Sequence, residues 1–236
     1  MLATKNTNTL TTSIDETMQN ALAAFHQFKK VSPEKKASFL EAIADEIEAL
    51  GDSLITQASE ETNLAAARLT GERARTTMQL RMFAAMVKEG SWVEASIDSS
   101  IPDRKPAPRP DLRKILIPLG PVIVFGASNF PFAYSTAGGD TASALAAGCS
   151  VVVKAHPGHP STSAMVAEAI KRALKKSSLP AGIFMHVYGT SFETGKALVT
   201  HPLTKAVGFT GSFEGGKALF DLANQREVPI PVFAEM

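Results

Sequence analysis

Ala206-Val-Gly-Phe-Thr-Gly-Ser-Phe-Glu-Gly-Gly216 is the stretch that decides the fold class. A short apolar run, which predicts a buried strand, leads through a turn into the start of a helix. Gly211 and Gly216 let the backbone turn tightly and approach a ligand, and a helix N-terminus offers N–H groups to a pyrophosphate. The spacing is not the G-x-G-x-x-G fingerprint. An ordinary strand–turn–helix therefore explains this stretch about as well as a nucleotide site does.

The same alternation of apolar runs and helical segments extends outward over the second half of the chain. Buried strands are predicted at 122–125, 151–153, 183–187 and 206–209, with a fifth beginning at 232. Helices are predicted at about 132–147, 162–176, 192–199 and 215–224. Strands that alternate with helices predict a doubly wound parallel α/β sheet of the Rossmann type. Leu116-Ile117 also has the pattern of a short buried strand.

Residues 1–95 are predicted to form a helical part of the cofactor-binding domain that precedes the sheet. Apolar residues recur at helical spacing, and on the fourth predicted helix we expect Met78, Met82, Ala85 and Met86 to face inward. Residues 96–118 predict an extended connector, because residues 99–110 contain four prolines. Residues 119–236 predict the nucleotide-binding core.

Composition restricts the classes of partner. The 236 residues are 44% hydrophobic and 20% charged with a net charge of +1, which is ordinary for a soluble globular protein and indicates neither a nucleic-acid nor a membrane partner. The single cysteine, Cys149, excludes an internal disulfide and fits a reducing, cytoplasmic compartment. The chain has no secretory signal pattern and no apolar stretch of about 18 residues that would span a membrane.

Polar residues follow the carboxyl ends of the predicted strands, where open α/β sheets bind ligands. Lys154 ends the 151–153 run, and binding of a ribose or phosphate is modestly favoured over a surface role. Asn129 could donate its amide N–H₂ to a developing oxyanion, but Pro131 and the predicted helix favour a helix cap. Glu235 is either a general base or a residue without a role, and its local pattern does not decide between them.

Two further side chains are weaker candidates. His156 and His159 are three residues apart, but flanking prolines place them in a loop without an evident third ligand, so we expect no metal site. Cys149 enters a predicted strand at its amino end, the wrong end for catalysis in a parallel sheet. A small buried hydrophobic residue is the favoured interpretation of this cysteine.

Taken together, these segments resemble the aldehyde dehydrogenase superfamily, from about residue 15 to Met236. The resemblance is carried by Ser128-Asn-Phe-Pro131, Val152-Val-Lys154, Gly208-Phe-Thr-Gly-Ser212 and Glu235, which are similar to the family's Trp-Asn-Phe-Pro segment, cofactor lysine, nucleotide turn and general base. Phe125–Pro131, Ala137–Gly148 and Lys154–Pro160 are similar to bacterial α-ketoglutarate-semialdehyde (2,5-dioxovalerate) dehydrogenases. They also resemble an NADP-dependent fatty-aldehyde dehydrogenase.

The resemblance implies NAD(P)-dependent oxidation of an aldehyde, such as α-ketoglutarate semialdehyde, to a carboxylic acid through a cysteine thioester. It implies that Asn129 holds the oxyanion and that Glu235 activates water. It implies a cofactor site formed by Ser128, Lys154, His156, Pro157, Thr210, Gly211, Ser212 and Gly216. Many NAD-using members have a glutamate where Pro157 stands, so we expect NADP⁺ to be preferred, with NAD⁺ tolerated.

The family's nucleophilic cysteine and catalytic domain follow the glutamate, whereas this sequence ends at Met236. We therefore expect these 236 residues to be a truncated, inactive portion of an enzyme whose full-length form is a homodimer or homotetramer. The alternative is a non-catalytic nucleotide-binding or interaction remnant. A third interpretation, a reductase, would need a tyrosine–lysine pair, and neither Tyr134 nor Tyr188 has a lysine at a suggestive spacing.

Overall fold

The computed structural model describes the backbone of residues 2–236 and the side chains of residues 14–236. Four helices come first: α1 (Leu2–Phe28), α2 (Pro33–Glu48), α3 (Gly51–Thr62) and α4 (Ala66–Glu89). The remaining elements are β1 (Ser96–Asp98), β2 (Leu112–Lys114), β3 (Val122–Phe125), α5 (Gly139–Ala147), β4 (Val151–Lys154), α6 (Pro160–Lys176), β5 (Phe184–Val187), α7 (Phe192–Thr200), β6 (Ala206–Thr210), α8 (Phe213–Asn224) and β7 (Val232–Glu235). None of the helices in this described part is long and apolar enough to cross a membrane.

Five strands form one parallel sheet in the order β5-β4-β3-β6-β7. The chain moves outward from β3 to β5, then returns to place β6 on the other side of β3. The direction of strand addition therefore reverses between β3 and β6, and in such sheets ligands bind outside the strand ends at this point. The predicted parallel α/β fold is confirmed.

The central strands are buried on both faces of the sheet. Val124 and Val153 pack with α2, α4 and α6 on one side of the sheet, whereas Ile123 and Val152 pack with α1, α7 and α8 on the other. Successive side chains of a strand point to opposite faces, so an uninterrupted β-branched run supplies both cores at once. This double burial explains why the apolar runs located the strands well.

The predicted inward face of the fourth helix is wrong. Met78 and Met82 on α4 are 62% and 54% exposed, and Ala85 is exposed as well, so of the four predicted residues only Met86 packs against the core. The buried stripe of α4 consists instead of Leu69, Glu72, Thr76, Thr77, Leu80, Ala84 and Val87. Three of these residues are polar, so a search for apolar periodicity alone assigned the wrong phase to this helix.

Helix α5 begins at Gly139, well after the predicted start at about residue 132, because residues 131–138 form turns. Gly138 is the N-cap of this helix, so the interpretation of Asn129 as a helix cap is wrong.

Leu116 and Ile117 are exposed and lie in no strand, which contradicts the buried strand predicted there. The Leu116 N–H donates to the Val93 carbonyl at 2.8 Å, outside the five-stranded sheet. In the Pro-rich segment before them, β1 and β2 pair as an exposed antiparallel hairpin that continues to an Ile101–Arg109 bridge. The division of the chain at residues 96–118 remains a prediction.

A buried polar chain joins β5 to α6 and to the turn before α5. The Ser163 hydroxyl lies 2.8 Å from Nε2 of His186 and 2.6 Å from the Thr136 hydroxyl. Burial is the largest cause that lowers the pKa of His186 to about 4, and the Lys171 ammonium adds to it. His186 is therefore a neutral hydrogen-bonding group of the folded protein near pH 7.

We expect His186→Gln to flatten the loss of stability in weak acid. An unfolded histidine has a pKa of about 6.5, so between pH 7.5 and 5 the unfolded state gains a proton that folded His186 does not take, and stability falls as pH falls. This group should contribute a loss of about 2 kcal/mol over that interval. Urea unfolding at the two pH values measures it, with His26→Gln on α1 as the control. Equal losses in His186→Gln and the unsubstituted chain would contradict the assignment.

Candidate active site

A cleft of about 390 Å³ lies between the carboxyl ends of β3 and β6, where the strand order reverses. It is lined by Ser128, Asn129, Phe130, Tyr134, Thr210, Gly211, Ser212, Glu235 and Met236. Six of the ten site residues predicted from the sequence are thus brought together here: Ser128, Asn129, Thr210, Gly211, Ser212 and Glu235. The other four, Lys154, His156, Pro157 and Gly216, are not among its lining residues.

One wall of the cleft is the N-terminus of α8. Ser212 is the N-cap, and its Oγ accepts a hydrogen bond from the Gly215 N–H at 3.2 Å. Among the described residues, the N–H groups of Phe213 and Glu214 have no acceptor. Free N–H groups at the positive end of a helix are suited to an anion such as a phosphate.

The glycines of this turn act differently from the sequence prediction. The Gly211 N–H donates to the Glu235 carbonyl at 3.1 Å, so it is engaged in the sheet and does not face a phosphate. A Cβ on Gly211 would lie 2.7 Å from the end of the Phe209 ring, and one on Gly216 would lie 3.1 Å from the same ring. A Cβ on Gly211 would therefore force the Phe209 ring to shift, whereas one on buried Gly216 would meet the Met236 side chain before it met this ring.

Lys154 ends β4, in register with Phe125 on β3 and Val187 on β5. Its side chain is half-buried, and this burial lowers the pKa of its ammonium group. No hydrogen bond or ion pair to Lys154 exists among the described side chains. A partly desolvated cation without a partner is suited to a phosphate or to ribose hydroxyls.

The loop after Lys154 carries His156 and Pro157. His156 accepts the Gly158 N–H at Nδ1, 3.0 Å away, and its ring stacks on His159 with centroids 5.4 Å apart. Burial, reinforced by the nearby His159 and Lys154, lowers the pKa of His156 to about 4, so its ring is neutral near pH 7. Exposed Pro157 brings no carboxylate to this loop. The described residues contain no group of three His, Cys, Asp or Glu that could hold a metal.

Asn129 and Glu235 both line the cleft but lie on different elements. Asn129 is exposed in the loop after β3, and Glu235 ends β7, an edge strand with alternating half-buried and exposed residues. Glu235 therefore ends a partly exposed edge strand, whereas a buried strand was predicted to begin at residue 232. Cys149 is only 3% exposed at the amino end of β4, as expected for a buried hydrophobic residue. Burial raises the pKa of its thiol and disfavours a nucleophilic thiolate.

Sequence reasoning missed the side chains of α4 that hold the Asn129 loop. Arg68 donates to the Asn129 carbonyl at 2.7 Å, and its guanidinium lies 4.9 Å from the Phe130 ring centroid. One turn later, the Glu72 carboxylate accepts the N–H groups of Phe132 and Ala133 at 2.8 and 3.0 Å. These helix residues are spaced by four, so they share a face. Their partners lie some sixty positions away, and no local pattern could reveal them.

Two more contacts extend this arrangement. Arg75, on the same face of α4, donates to the Tyr134 hydroxyl at 2.7 Å. The buried His159 ring donates from Nε2 to the Ala127 carbonyl at 2.8 Å, because a carbonyl only accepts. The backbone is therefore held both at Asn129 and two residues before it, and the Asn129 side chain is left free at the cleft.

A second cavity of about 490 Å³ adjoins the cleft and shares Tyr134, Thr210 and Glu235 with it. Asp140, in the first turn of α5, is one of its lining residues and was not singled out from the sequence. Burial, with a further contribution from the Glu235 carboxylate, raises the pKa of Asp140. A half-buried carboxyl group and the carboxylate at the end of β7 thus line the same cavity.

The sequence profile of the aldehyde dehydrogenase family matches residues 3–236. The chain belongs to the aldehyde dehydrogenase family. Alpha-ketoglutaric semialdehyde dehydrogenase 2 of Azospirillum brasilense is 55% identical over 223 residues, which are 94% of this chain and 42% of that protein. The alpha-ketoglutaric semialdehyde dehydrogenase of Acinetobacter baylyi is 52% identical with the same coverage. The predicted resemblance to this branch is confirmed.

Solved structures of aldehyde dehydrogenases share the fold. A NAD-dependent benzaldehyde dehydrogenase from Corynebacterium glutamicum superposes with a TM-score of 0.82 at 22% identity, covering 96% of this chain and 46% of that one. The glyceraldehyde-3-phosphate dehydrogenase GapN from Methanocaldococcus jannaschii, complexed with NADP, gives 0.79 at 21% identity, with the same coverage. The chain thus spans less than half the length of the relatives it matches.

Proposed function

We propose that this aldehyde dehydrogenase chain is the cofactor-binding portion of an enzyme that oxidises a semialdehyde, such as α-ketoglutaric semialdehyde, to a carboxylic acid with NADP⁺. The observation that carries the proposal is the cleft at the strand-order reversal, where Asn129, Glu235 and the free N-terminus of α8 meet. The names of the two relatives above 50% identity support the semialdehyde.

In this proposal the chain supplies two groups to the reaction. The Asn129 amide donates to the oxyanion that forms when a cysteine, located outside these 236 residues, attacks the aldehyde. Glu235 then takes a proton from the water that hydrolyses the thioester. The hydrogen bonds of Arg68 and Glu72 hold the backbone of the Asn129 loop, and with it the position from which the amide reaches the cleft.

The residues present fit a dinucleotide. The unpaired N–H groups of Phe213 and Glu214 favour the phosphates, with Thr210 and Ser212 beside them in the cleft. Unpartnered Lys154 would hold the adenosine ribose or its 2′-phosphate, beside His156. When bound, the cofactor accepts the hydride from the aldehyde carbon.

We expect the chain to bind NADP⁺ more tightly than NAD⁺, because Pro157 places no carboxylate beside Lys154 to repel a 2′-phosphate. Pro157→Glu should raise the Kd for NADP⁺ by roughly tenfold, the value of one unfavourable charge contact of about 1.4 kcal/mol. Its effect on NAD⁺ should be small. Isothermal titration of both cofactors measures this, with the exposed Pro202→Glu as a charge-matched control. Tighter binding of NAD⁺ than of NADP⁺ by the unsubstituted chain would contradict the predicted preference for NADP⁺.

Turnover tests the proposed function with two proteins. One is the 236-residue chain. The other, termed the complete enzyme, is the product of the whole reading frame. If the frame ends at residue 236, the complete enzyme is residues 1–235 fused to the downstream part of the Azospirillum brasilense relative. The complete enzyme should reduce NADP⁺ with α-ketoglutaric semialdehyde, and the chain alone should not exceed buffer. Turnover by the chain alone would refute the thioester route. An inactive complete enzyme that still binds NADP⁺ would favour the binding remnant.

A further inference from the structure

The register of the sheet places Asp140 and Glu235 on one face. Glu235 on β7 is paired with Thr210 on β6, and Gly208 lies two residues before Thr210, so all three point to the same side of the sheet. A Cβ built on Gly208 would lie 3.1 Å from both Cγ and Oδ2 of Asp140. The Asp140 carboxyl therefore rests directly over Gly208, in the space that any larger residue of β6 would occupy.

The surroundings of Asp140 leave its carboxyl group without a structural partner. Among the described residues, its side chain makes no ion pair or hydrogen bond, although it begins α5. Of the elements around the 490 Å³ cavity, α4 contributes Gln79 and Phe83, α5 contributes Ser143, and β6 contributes Phe209 and Thr210. The other titratable groups there are Glu235 on β7 and Tyr134, which is hydrogen-bonded by the Arg75 guanidinium. A half-buried carboxylate that makes no hydrogen bond or ion pair is a candidate for chemistry.

We propose that Asp140 is a proton relay for Glu235: it accepts the proton that Glu235 has removed from the hydrolytic water and passes it to solvent through the adjoining cavity. This inference rests on the proposed function. Asp140 acts through Glu235 and does not touch the substrate, so it is a positioning and relay residue.

The water oxygen bonds to the acyl carbon, and one water proton moves to the Glu235 carboxylate. The carbon–sulfur bond then breaks and its electron pair returns to the cysteine as a thiolate, leaving the carboxylic acid. The proton passes from Glu235 through water of the shared cavity to Asp140 and then to bulk water, so Glu235 is a base again for the next turnover. Because burial raises the pKa of Asp140, this carboxylate is a stronger base than an ordinary aspartate.

The test is Asp140→Asn in the complete enzyme, measured with α-ketoglutaric semialdehyde and NADP⁺. Hydride transfer precedes hydrolysis. The rate at which each site forms its first NADPH should therefore stay within twofold of the rate of the unsubstituted enzyme. Steady-state kcat should fall at least tenfold, at the lower end of general acid–base effects, and its dependence on pH should change shape. Ser143→Ala, on the same helix and in the same cavity, is the matched control and should keep both values.

Three other results would overturn the inference or its basis. A kcat and pH profile within twofold of the unsubstituted enzyme would remove Asp140 from the reaction. An equal fall in the rate of formation of the first NADPH and in kcat would indicate a structural role instead. Absence of turnover by the unsubstituted complete enzyme on any aldehyde would refute the proposed function, which is a separate failure.

A measurement that needs no turnover tests the contact itself. In the 236-residue chain, Glu235→Gln removes the charge that helps to raise the pKa of Asp140, so this pKa should fall when the side-chain carboxyls are titrated by ¹³C NMR. An unchanged Asp140 titration would show that the two carboxyl groups do not interact, and the relay would be excluded.

Discussion

Replacing Glu72 with leucine is expected to lower the free energy of unfolding by about 2–4 kcal/mol, with a further loss of order in the Asn129 loop. Glu72 is only 6% exposed, and its Oε1 accepts two backbone N–H groups, those of Phe132 and Ala133. Leucine fills the volume but leaves both buried donors without an acceptor, at about 1–3 kcal/mol each.

A compensating gain sets the lower end of this range. Oε2 of Glu72 is buried and has no hydrogen-bond partner, so its removal recovers part of the loss. Glu72→Gln keeps an oxygen that can accept both N–H groups and is the matched control, with an expected change below about 1 kcal/mol. Urea unfolding near pH 7 gives both values. A leucine variant as stable as the glutamine variant would show that the loop obtains its hydrogen bonds elsewhere.

The contact of Glu72 with residues 132–133 could not be predicted from the sequence, whereas the strands and the strand-end site could. The strands could be located because each is a run of β-branched residues buried on both faces, and the order of strands and helices then restricts the sheet to few topologies. Since strand ends meet at one edge, Asn129, Glu235 and the 210–212 turn could be expected near one another. These inferences need only local pattern and general rules of connection.

Contacts between distant segments could not be obtained in this way. The polar buried stripe of α4 exists because Glu72 serves the backbone of residues 132–133, so its phase is not encoded in apolar periodicity. Similarly, Gly208 is small because Asp140 lies above it, a fact that neither strand nor helix shows alone. From the local sequence alone, Asp140 is an ordinary acidic residue in the first turn of a helix, where the helix dipole favours it.

Asn129→Ala is expected to lower kcat of the complete enzyme by about 10²–10³-fold, the usual effect of removing one oxyanion donor. Because the exposed side chain makes no hydrogen bond among the described residues, and Arg68 binds the backbone carbonyl, which alanine retains, stability and the Kd for NADP⁺ should stay unchanged. Rapid-mixing kinetics with α-ketoglutaric semialdehyde measures the rate. Asn224→Ala on α8, an exposed asparagine outside the cleft, is the control.

The stage of the reaction that Asn129→Ala slows distinguishes the role of Asn129 from that of Asp140. The oxyanion forms both when the cysteine attacks and when water attacks. Asn129→Ala should therefore slow the formation of the first NADPH as well as later turnovers. A relay at Asp140 affects only the proton that Glu235 removes during hydrolysis. Asp140→Asn should therefore leave the rate of formation of the first NADPH unchanged. If Asn129→Ala instead kept a normal first NADPH, the amide would not stabilise the oxyanion during aldehyde attack. Asn129 would then be a cleft residue without the catalytic role proposed for it.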